Sequence, residues 1–279
     1  MTVPGAHTRL AAVIGSPVRH SLSPAMHNAA FAELGLDWVY VACEVAPGSV
    51  GAAFAGARAL GLGGLSVTIP HKAAALAEVD ELTPTARAVG AVNTVVPRGD
   101  GRLLGENTDG PGFLASLADE GFLPAGRHCA VIGAGGAARA VVHALGGAGV
   151  AAVVVVNRST DRAEETAALA GSAGRVGVAA DVKQADLVVN ATPLGLAGGE
   201  VTQLPVSADL LGDGQLVVDL VPNPAVTPLM RAARERGARV AGGVGMLVHQ
   251  GALAFELWTG RPAPLGVMRA AAVQALTPG

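Results

Sequence analysis

The sequence has 279 residues, enough for one large or two ordinary domains with hydrophobic cores, and its formal net charge is −3. A slightly acidic chain has no electrostatic basis for binding nucleic acid or an anionic membrane surface. Both cysteines, Cys43 and Cys129, lie in apolar segments, and no apolar run approaches the length of about 20 residues that crosses a bilayer. We therefore expect buried, reduced thiols, no signal peptide and a cytoplasmic protein.

Apolar stretches of strand length alternate with alanine-rich helical stretches along most of the chain, which predicts βαβ units on a mostly parallel sheet. In the first part we expect strands at residues 10–15, 38–45 and 64–69, and helices at 24–34 and 49–60. Two further strands, at 91–97 and 102–106, are joined by a segment with two glycines, which predicts an antiparallel hairpin.

A second series begins at Cys129. It predicts strands at residues 129–132, 152–156, 175–178, 187–190 and 216–220, and helices at 135–145, 162–169 and 228–236. Thr227 and Pro228 suit the cap and the first position of the last of these helices. The apolar stretch 246–258 also has helical spacing. Because the βαβ pattern restarts after the hairpin, we predict a domain boundary near residue 110.

Lysine is rare in this chain, since only Lys72 and Lys183 occur among 19 basic residues. An ammonium group can transfer a proton, whereas a guanidinium group in a protein cannot, so a retained lysine is a candidate for work that arginine cannot do. Lys183 lies in a polar, turn-like segment, as expected of a surface charge. Lys72 ends the segment Ser66-Val-Thr-Ile-Pro-His-Lys72 and is the candidate for proton transfer, with a second surface charge as the alternative.

The segment Val131-Ile-Gly-Ala-Gly-Gly-Ala-Ala138 follows a predicted strand and opens a predicted helix. Gly133 permits the tight turn, Gly135 lets the backbone approach a pyrophosphate, and Ala138 is the small residue that ends the pattern. The helix then offers its N-terminal amides to the phosphates. With a strand before it and a helix after it, a dinucleotide site is favoured over a chance glycine cluster.

The next strand ends at Asn157-Arg-Ser159, and Arg162 follows one turn later. NAD enzymes carry an Asp or Glu near this point to bind the ribose 2′-hydroxyl, whereas this chain has two guanidinium groups. We therefore expect NADP(H) as the cofactor; the alternative is that Arg158 and Arg162 are surface charges of a helix. The segment Asn190-Ala-Thr-Pro-Leu-Gly195 follows a later strand, where loops close over a bound dinucleotide.

Ser21 and Ser23 precede a predicted helix with Pro24 at its start, and their hydroxyls beside free amides suit a carboxylate. Plain capping of the helix by Ser23 is the alternative. Three histidines in this part of the chain lack metal-ligand spacing with one another or with cysteine, so we expect no metal site: His20, His27 and His71.

Thr68, Asn93, Lys72 and Asp109 occur at other strand ends, and together they suit a small polyhydroxylated acid. If Lys72 and Asp109 meet, the pair can move a proton while a hydride moves elsewhere. Sequence spacing does not show that they meet. The alternative for Asp109 is a turn residue that caps its loop.

These motifs together resemble one family, the shikimate dehydrogenases, from Gly15 to Gly260. The segments that carry the resemblance are His20-Ser-Leu-Ser-Pro-Ala-Met-His-Asn28, Val67-Thr-Ile-Pro-His-Lys72, Gly90-Ala-Val-Asn-Thr94, Asn107-Thr-Asp-Gly-Pro-Gly-Phe113, Gly133-Ala-Gly-Gly-Ala137, Asn157-Arg-Ser159, Asn190-Ala-Thr-Pro193 and Met246-Leu-Val-His-Gln-Gly-Ala-Leu-Ala-Phe-Glu-Leu-Trp258. So many motifs in one order make the match specific.

The resemblance implies a two-domain α/β fold, with a substrate-binding and catalytic domain formed by residues 1–110 and 245–279 and a Rossmann-type NADP-binding domain inserted at 111–244. It implies that Lys72 and Asp109 form the catalytic pair and also bind substrate. The other substrate contacts it implies are Ser21 and Ser23 to the carboxylate, and Thr68, Asn93 and Gln250 to the ring hydroxyls. The cofactor contacts it implies are Gly133, Ala134, Gly135, Gly136, Ala137, Asn157, Arg158, Ser159, Arg162, Thr192, Leu220, Gly243 and Met246.

Three positions depart from the family pattern. Ser66 stands where the family often has asparagine, and Ser159 stands where it often has threonine. In Asp219-Leu-Val-Pro-Asn-Pro224, Pro222 replaces a common tyrosine, so a hydroxyl near the substrate is missing and the choice of substrate is left open.

The resemblance predicts an NADP-dependent oxidoreductase that reversibly reduces 3-dehydroshikimate to shikimate in chorismate and aromatic amino acid biosynthesis. Lys72, with Asp109, would stabilise the developing alkoxide and supply its proton. Two alternatives stay open: a quinate or aminoshikimate dehydrogenase on the same fold, and a non-catalytic NADP-binding regulator. The expected partner is a small molecule, without nucleic acid or membrane, and the sequence leaves both a monomer and a homodimer open.

Overall fold

The computed structural model describes residues 3–196 and 204–276. The chain divides into two compact units. The first, called here the discontinuous unit, consists of Met1–Thr108 and Val248–Gly279, and the second, the inserted unit, is Asp109–Leu247. The resemblance places the corresponding boundaries after residues 110 and 244.

The discontinuous unit is built on one mixed sheet. Its strands are β1 (Arg9–Gly15), β2 (Trp38–Glu44), β3 (Gly64–Val67), β4 (Glu81–Leu82), β5 (Thr94–Pro97) and β6 (Leu103–Glu106), in the order β2-β1-β3-β5-β6-β4. Its helices are α1 (Ser23–Glu33), α2 (Val50–Ala59), a short 3₁₀ turn (Ala74–Ala77) and α3 (Pro84–Val89). The end of α8 (Val244–Thr259) and α9 (Leu265–Leu276) complete it.

The predicted hairpin is confirmed, because β5 and β6 pair in antiparallel register. Arg98 N donates to Arg102 O at 2.7 Å across the turn, and Gly101 has φ +83°, a conformation that favours glycine. β5 also pairs antiparallel with β3, whereas β1 and β3 are parallel. The start of β5 and the end of β6 therefore lie at the same edge of the sheet as the carboxyl ends of β1 and β3.

An aromatic cluster joins the end of helix α8 to the sheet of the discontinuous unit. Trp258 Nε1 donates to Val95 O at 3.0 Å, and the Trp258 ring lies 5.3 Å from His27. His27 stacks on Tyr40 with ring centroids 4.5 Å apart. The rings of His27, Tyr40 and Trp258 are all buried in the discontinuous unit. The segments before and after the inserted unit therefore share one core.

The inserted unit has a parallel sheet. Its strands are β7 (His128–Ile132), β8 (Ala152–Val156), β9 (Gly174–Val176), β10 (Leu187–Asn190), β11 (Leu216–Asp219) and β12 (Arg239–Gly242), in the order β12-β11-β10-β7-β8-β9. The helices are α4 (Asp109–Asp119), α5 (Gly136–Gly147), α6 (Thr160–Ala167), α7 (Pro228–Glu235) and the start of α8, with 3₁₀ turns at Ala168–Ala173, Ala179–Gln184 and Ala208–Leu210. From β7 the chain moves to β8 on one side and later to β10 on the other, which is the doubly wound order of dinucleotide-binding domains.

The core of the inserted unit lies on both faces of its sheet. Val131 of β7 belongs to one buried cluster, whereas its neighbours Ala130 and Ile132 belong to another. Successive residues of a strand point to opposite faces, so both faces are covered. This explains why β8 is apolar throughout and why β7, β10 and β11 are apolar except for one polar residue at an end of each strand.

Several elements of the described residues are absent from the sequence-based prediction: β4, α3, α4, β12 and α9. β4 has only two residues and α3 only six, too short for a periodic signal. α4 begins with Asp109-Gly-Pro-Gly, residues that disfavour helix interiors, but its buried side carries Phe113 and Leu117. Tertiary packing overrides local propensity there.

The expectation for Cys43 is wrong, since its side chain is exposed at the end of β2, an edge strand. Cys129 is buried, and burial raises the pKa of its thiol to about 12. Both thiols are free. Over residues 3–196 and 204–276, no helix combines the length and apolar character needed to cross a membrane.

Candidate active site

Two loops of the discontinuous unit leave the same sheet edge, after β1 and after β3. Ser16 N donates to Ile69 O at 3.0 Å, which joins the loops directly. A Cβ atom at Gly15 would lie 2.5 Å from Cγ2 of Thr68, closer than real contacts allow. Glycine at the end of β1 therefore lets Thr68 come alongside the serine loop.

The serine loop ends at α1. Ser23 is buried and is the first residue of that helix, and the N-cap residue Leu22 makes no side-chain cap bond. The capping alternative for Ser23 is therefore wrong. The hydroxyl that accepts from a backbone amide here is Ser21 Oγ, which accepts from Ser23 N at 3.2 Å.

The loop that carries Lys72 is fixed on both sides. His71 is buried and its Nε2 donates to Val45 O at 2.7 Å, since a carbonyl oxygen can only accept. Val92 N donates to Lys72 O at 2.8 Å. These bonds hold the Lys72 backbone against the segment that leads into β5, and the Lys72 side chain is half-buried.

Asn93 is the centre of a buried polar network that also contains Thr94, Thr108 and Gln250, called here the Asn93 network. Asn93 Oδ1 accepts from Thr108 N at 2.8 Å and from Thr94 Oγ1 at 3.0 Å. Asn93 Nδ2 donates to Thr108 Oγ1 at 2.9 Å and to Gln250 Oε1 at 3.2 Å. The side chain of Asn93 is 2% exposed, so these bonds replace water around its amide.

Thr94 and Thr108 have no assigned role in the sequence interpretation, yet both belong to this network. The signal that could have identified them is the threonine beside asparagine in Asn93-Thr94 and Asn107-Thr108, at two ends of the hairpin. Asp109 follows Thr108 directly, begins α4 and is buried. It is counted in the inserted unit, whereas Lys72 belongs to the discontinuous unit, and their pairing stays a prediction.

In the inserted unit, the loop with Gly133 and Gly135, called here the glycine loop, follows the carboxyl end of β7. β7 lies between β10 and β8, the point where the strand order of the sheet reverses. Gly133 has φ +113°, and a Cβ there would lie 3.1 Å from Ala191 O. Gly135 caps α5, and no atom lies within 4 Å of the position its Cβ would take. Gly135 thus leaves open space beside the N-terminal end of α5, where helix amides can bind a pyrophosphate.

The end of β8 lies beside the glycine loop. Arg162 Nη2 donates to Ala134 O at 3.3 Å. Ser159 Oγ caps α6 by accepting from Arg162 N at 3.5 Å, and Asn157 Nδ2 donates to Ser159 O at 3.0 Å. Arg158 and Arg162 are both exposed, so their charges are available to a phosphate near the loop. The structure brings these predicted residues together.

On the other side of β7, the predicted cofactor residues Thr192 and Leu220 follow β10 and β11, whereas Gly243 and Met246 follow β12. Leu220 N donates to Asn190 O at 3.0 Å, and Thr192 Oγ1 donates to Asn190 Oδ1 at 2.7 Å. A Cβ at Gly243 would lie 2.5 Å from Leu220 O, so the chain after β12 needs glycine to pass this close. Met246 is buried and packs in the core of the inserted unit.

Asp219, at the end of β11, is fully buried. Burial raises the pKa of its carboxyl, and hydrogen bonds from Thr227, Val221 and Asn190 oppose that rise.

Among the described residues, no group of three or more His, Cys, Asp and Glu side chains is arranged to hold a metal ion. His27 is instead a core residue, and burial lowers its pKa to about 3.

Three family models match the chain. The model of the shikimate dehydrogenase substrate binding domain matches residues 13–95, that of shikimate / quinate 5-dehydrogenase matches 117–198, and that of the shikimate 5′-dehydrogenase C-terminal domain matches 243–273. A protein named shikimate dehydrogenase (NADP(+)) from Moorella thermoacetica is 50% identical over 273 residues, which cover 94% of this chain and 92% of the relative.

Solved structures are similar as well. The structure of shikimate 5-dehydrogenase from Thermus thermophilus in complex with NADP(H) and shikimate is 42% identical, with a TM-score of 0.90, covering 96% of this chain and 100% of that one. Quinate dehydrogenase from Corynebacterium glutamicum in complex with NAD is 32% identical, with a TM-score of 0.87, covering 96% and 99% of the two chains. The fold is thus shared by proteins named for two substrates and two cofactors.

Proposed function

The chain belongs to the shikimate dehydrogenase family, and from this membership we propose how its residues carry out the reversible reduction of 3-dehydroshikimate to shikimate with NADPH. It is an NADP-dependent oxidoreductase of aromatic amino acid biosynthesis. The residue roles that follow combine the family pattern with the geometry of each unit.

The cofactor site is proposed on the inserted unit. The glycine loop and the start of α5 would hold the pyrophosphate, and Asn157, Arg158, Ser159 and Arg162 would hold the 2′-phosphate of NADP(H). Support comes from the contact of Arg162 with Ala134 O, which places a guanidinium against the loop. When bound, NADPH supplies a hydride to the substrate ketone. Thr192, Leu220, Gly243 and Met246 would lie toward the nicotinamide.

The substrate site is proposed on the edge of the discontinuous sheet. Ser21 and Ser23 would bind the carboxylate, while Thr68, Asn93 and Gln250, with Asp109, would bind ring hydroxyls. Support comes from the shared edge: the loops after β1 and β3, the start of β5 and the end of β6 all meet there. Hydroxyl and amide side chains with fixed orientation suit a polyol because each can donate or accept.

Lys72 and Asp109 are proposed as the catalytic pair. Lys72 would donate a proton to the oxygen of the ketone as it becomes an alkoxide, and Asp109 would hold and orient the ammonium. The observation that carries this proposal is that Val92 and Asn93, two neighbouring residues, bond to Lys72 and to the residue before Asp109. Val92 N donates to Lys72 O, and Asn93 Oδ1 accepts from Thr108 N, the residue before Asp109.

The test is an activity grid with shikimate and quinate, each with NADP⁺ and NAD⁺. We expect the highest kcat/KM for shikimate with NADP⁺. Lys72→Ala, purified in the same way, serves as the inactive control. Turnover of quinate above shikimate would overturn the substrate assignment, and binding of NADP⁺ without turnover of either acid would favour the regulator.

A quinate or aminoshikimate dehydrogenase is the second candidate, and Pro222 is the observation that supports it. This residue follows Asp219 by three positions and occupies the place of a common family tyrosine, so a hydroxyl that could distinguish related ring acids is missing. Pro222→Tyr, which introduces a hydroxyl at this position, should then lower KM for shikimate. We also propose that the protein works in the cytoplasm, with the two free thiols as support.

A further inference from the structure

Asp219 is a fully buried carboxyl that the reaction described above does not use. Its Oδ1 accepts from Asn190 Nδ2 at 2.9 Å and from Val221 N at 3.1 Å. Its Oδ2 accepts from Thr227 Oγ1 at 2.6 Å. All three donors are neutral, and no cation partner of Asp219 occurs among residues 3–196 and 204–276. A buried acid without such a partner is costly to keep, so a role for it is expected.

Asp219 helps to orient the Asn190 amide, whose Nδ2 also donates to Leu194 O at 3.3 Å. β10 and β11 are paired so that Asn190 lies directly opposite Asp219. Because a carboxylate can only accept, it selects the Nδ2 end of the Asn190 amide, and Oδ1 then faces the other way. Asn190 Oδ1 accepts from Thr192 N at 3.0 Å and from Thr192 Oγ1 at 2.7 Å.

Asn190 in turn holds the two loops at this end of the sheet. Its side chain bonds Thr192, and its carbonyl oxygen accepts from Leu220 N at 3.0 Å. Thr192 also lies against the glycine loop, since its Cγ2 is 3.2 Å from the position of a Cβ at Gly133. Asp219, Asn190 and Thr192 form a continuous chain of hydrogen bonds, called here the Asp219 network.

We propose that Asp219 is a positioning residue for the nicotinamide half of the dinucleotide site, acting through Asn190 on Thr192 and Leu220. This inference rests on the proposed function, in which those two residues contact NADP(H). The strand order indicates which half of the cofactor is affected. β8, which is followed by Arg158 and Arg162, lies on one side of β7, whereas β10 and β11 lie on the other side. The network therefore acts on the part of the cofactor away from the 2′-phosphate.

The test compares two ligands by titration calorimetry on the full-length protein: NADP⁺, which has both halves, and adenosine 2′,5′-bisphosphate, which has only the adenosine half. In Asp219→Ala we expect the Kd of NADP⁺ to rise about tenfold, the size of one lost charge-assisted hydrogen bond. The Kd of adenosine 2′,5′-bisphosphate should change less than about twofold. Asp219→Ser, which leaves a hydroxyl in the buried position, is measured alongside in case the alanine variant does not fold.

Two controls separate positioning from stability. Thr227→Val removes a donor to Oδ2 and the N-cap bond to Met230 N, and should lower the melting temperature while leaving both affinities near wild type. Asn190→Ala should reproduce the selective loss of NADP⁺ affinity, and combining it with Asp219→Ala should add little, because both act along one path.

Equal weakening of both ligands, an equal effect of Thr227→Val, or full additivity of Asn190→Ala with Asp219→Ala would overturn the positioning role. Failure of the wild-type protein to bind either ligand would instead overturn the proposed cofactor site. The two failures are thus distinguishable.

Discussion

Asn93 Nδ2 donates to Gln250 Oε1 at 3.2 Å, across 157 positions of sequence. The contact fixes the orientation of the Gln250 amide: its oxygen faces Asn93, and Nε2 is its donor end. Gln250 lies on α8, which Trp258 ties to the N-terminal sheet. A residue of the C-terminal segment is thus held against the sheet edge that carries the other predicted substrate residues.

The first prediction concerns the donor end of Gln250. Gln250→Glu keeps an oxygen that accepts from Asn93 but replaces the Nε2 donor, so we expect kcat/KM for shikimate to fall about tenfold or more with little change in melting temperature. Gln250→Leu should lower both quantities because it also removes the partner of Asn93. Gln184→Glu, the same change at an exposed position, is the control. Wild-type kcat/KM in Gln250→Glu would contradict a substrate contact.

The second prediction concerns Lys72. Lys72→Ala should reduce kcat by about 10²–10⁴-fold, the usual contribution of a general acid, with NADP⁺ affinity preserved. Lys72→Arg keeps the charge but not a readily transferable proton, so its kcat should fall nearly as far. Lys183→Ala, at the exposed second lysine, should be as active as wild type. High activity of Lys72→Arg would make Lys72 an electrostatic anchor, with the proton coming from another group.

The third prediction concerns cofactor choice. Arg158→Ala and Arg162→Ala should each raise KM for NADP⁺ about tenfold and change KM for NAD⁺ little, because only NADP⁺ carries the 2′-phosphate. Arg234→Ala, at an exposed position in the last turn of α7, is the control for loss of one charge. Steady-state kinetics with both cofactors provides the comparison. A similar rise for both cofactors would show that these arginines do not distinguish them.

The fourth prediction concerns pH and the buried His27. In the folded protein burial lowers the pKa of His27 from 6.5 to about 3, so below pH 6.5 the unfolded state binds a proton that the folded state does not. Stability is therefore complete above pH 6.5 and declines as the pH falls from there toward 3. Between pH 7.5 and pH 5 this one group should cost about 2 kcal/mol of unfolding free energy.

Denaturant unfolding of the wild type and His27→Leu at these two pH values measures that contribution. We expect the variant to be less stable at pH 7.5 because it loses ring stacking with Tyr40, and its decline between the two pH values should be smaller by about 2 kcal/mol. Identical pH dependence in both proteins would mean that His27 does not stay neutral in the folded state.

The fifth prediction concerns the approach of Trp258 to the sheet. A Cβ at Gly64 would lie 2.4 Å from the indole ring, so Gly64→Ala should displace Trp258 and destabilise the protein by about 1–3 kcal/mol. Gly56→Ala on α2, where nothing lies within 4 Å, should instead stabilise by about 0.5–1 kcal/mol. Urea unfolding followed by tryptophan fluorescence measures both. Equal stability of the two variants would contradict the tight contact at Gly64.

Much of the fold can be predicted from local patterns in this chain. The strands 152–156 and 187–190 have the predicted bounds, and Thr227 caps α7 as expected. Short elements such as β4 are missed because they contain too few residues for a periodic pattern. The helix α4 is missed because its first residues have low helix propensity, although its apolar side chains are buried. At the site, Ser21 and Asn93 are predictable from polar residues at strand ends, whereas Thr94 and Thr108 gain their roles only through contacts with Asn93.

Local sequence patterns are sufficient for the α/β class, the glycine loop with its two arginines, and the polar residues at strand ends. These features depend on hydrophobic periodicity and on backbone conformations that only glycine adopts easily, both of which act over a few neighbouring residues. The contact of Gln250 with Asn93 and the orientation of Asn190 by Asp219 arise only in the folded chain. Such contacts depend on strand order and on the packing of distant segments, which no local pattern specifies.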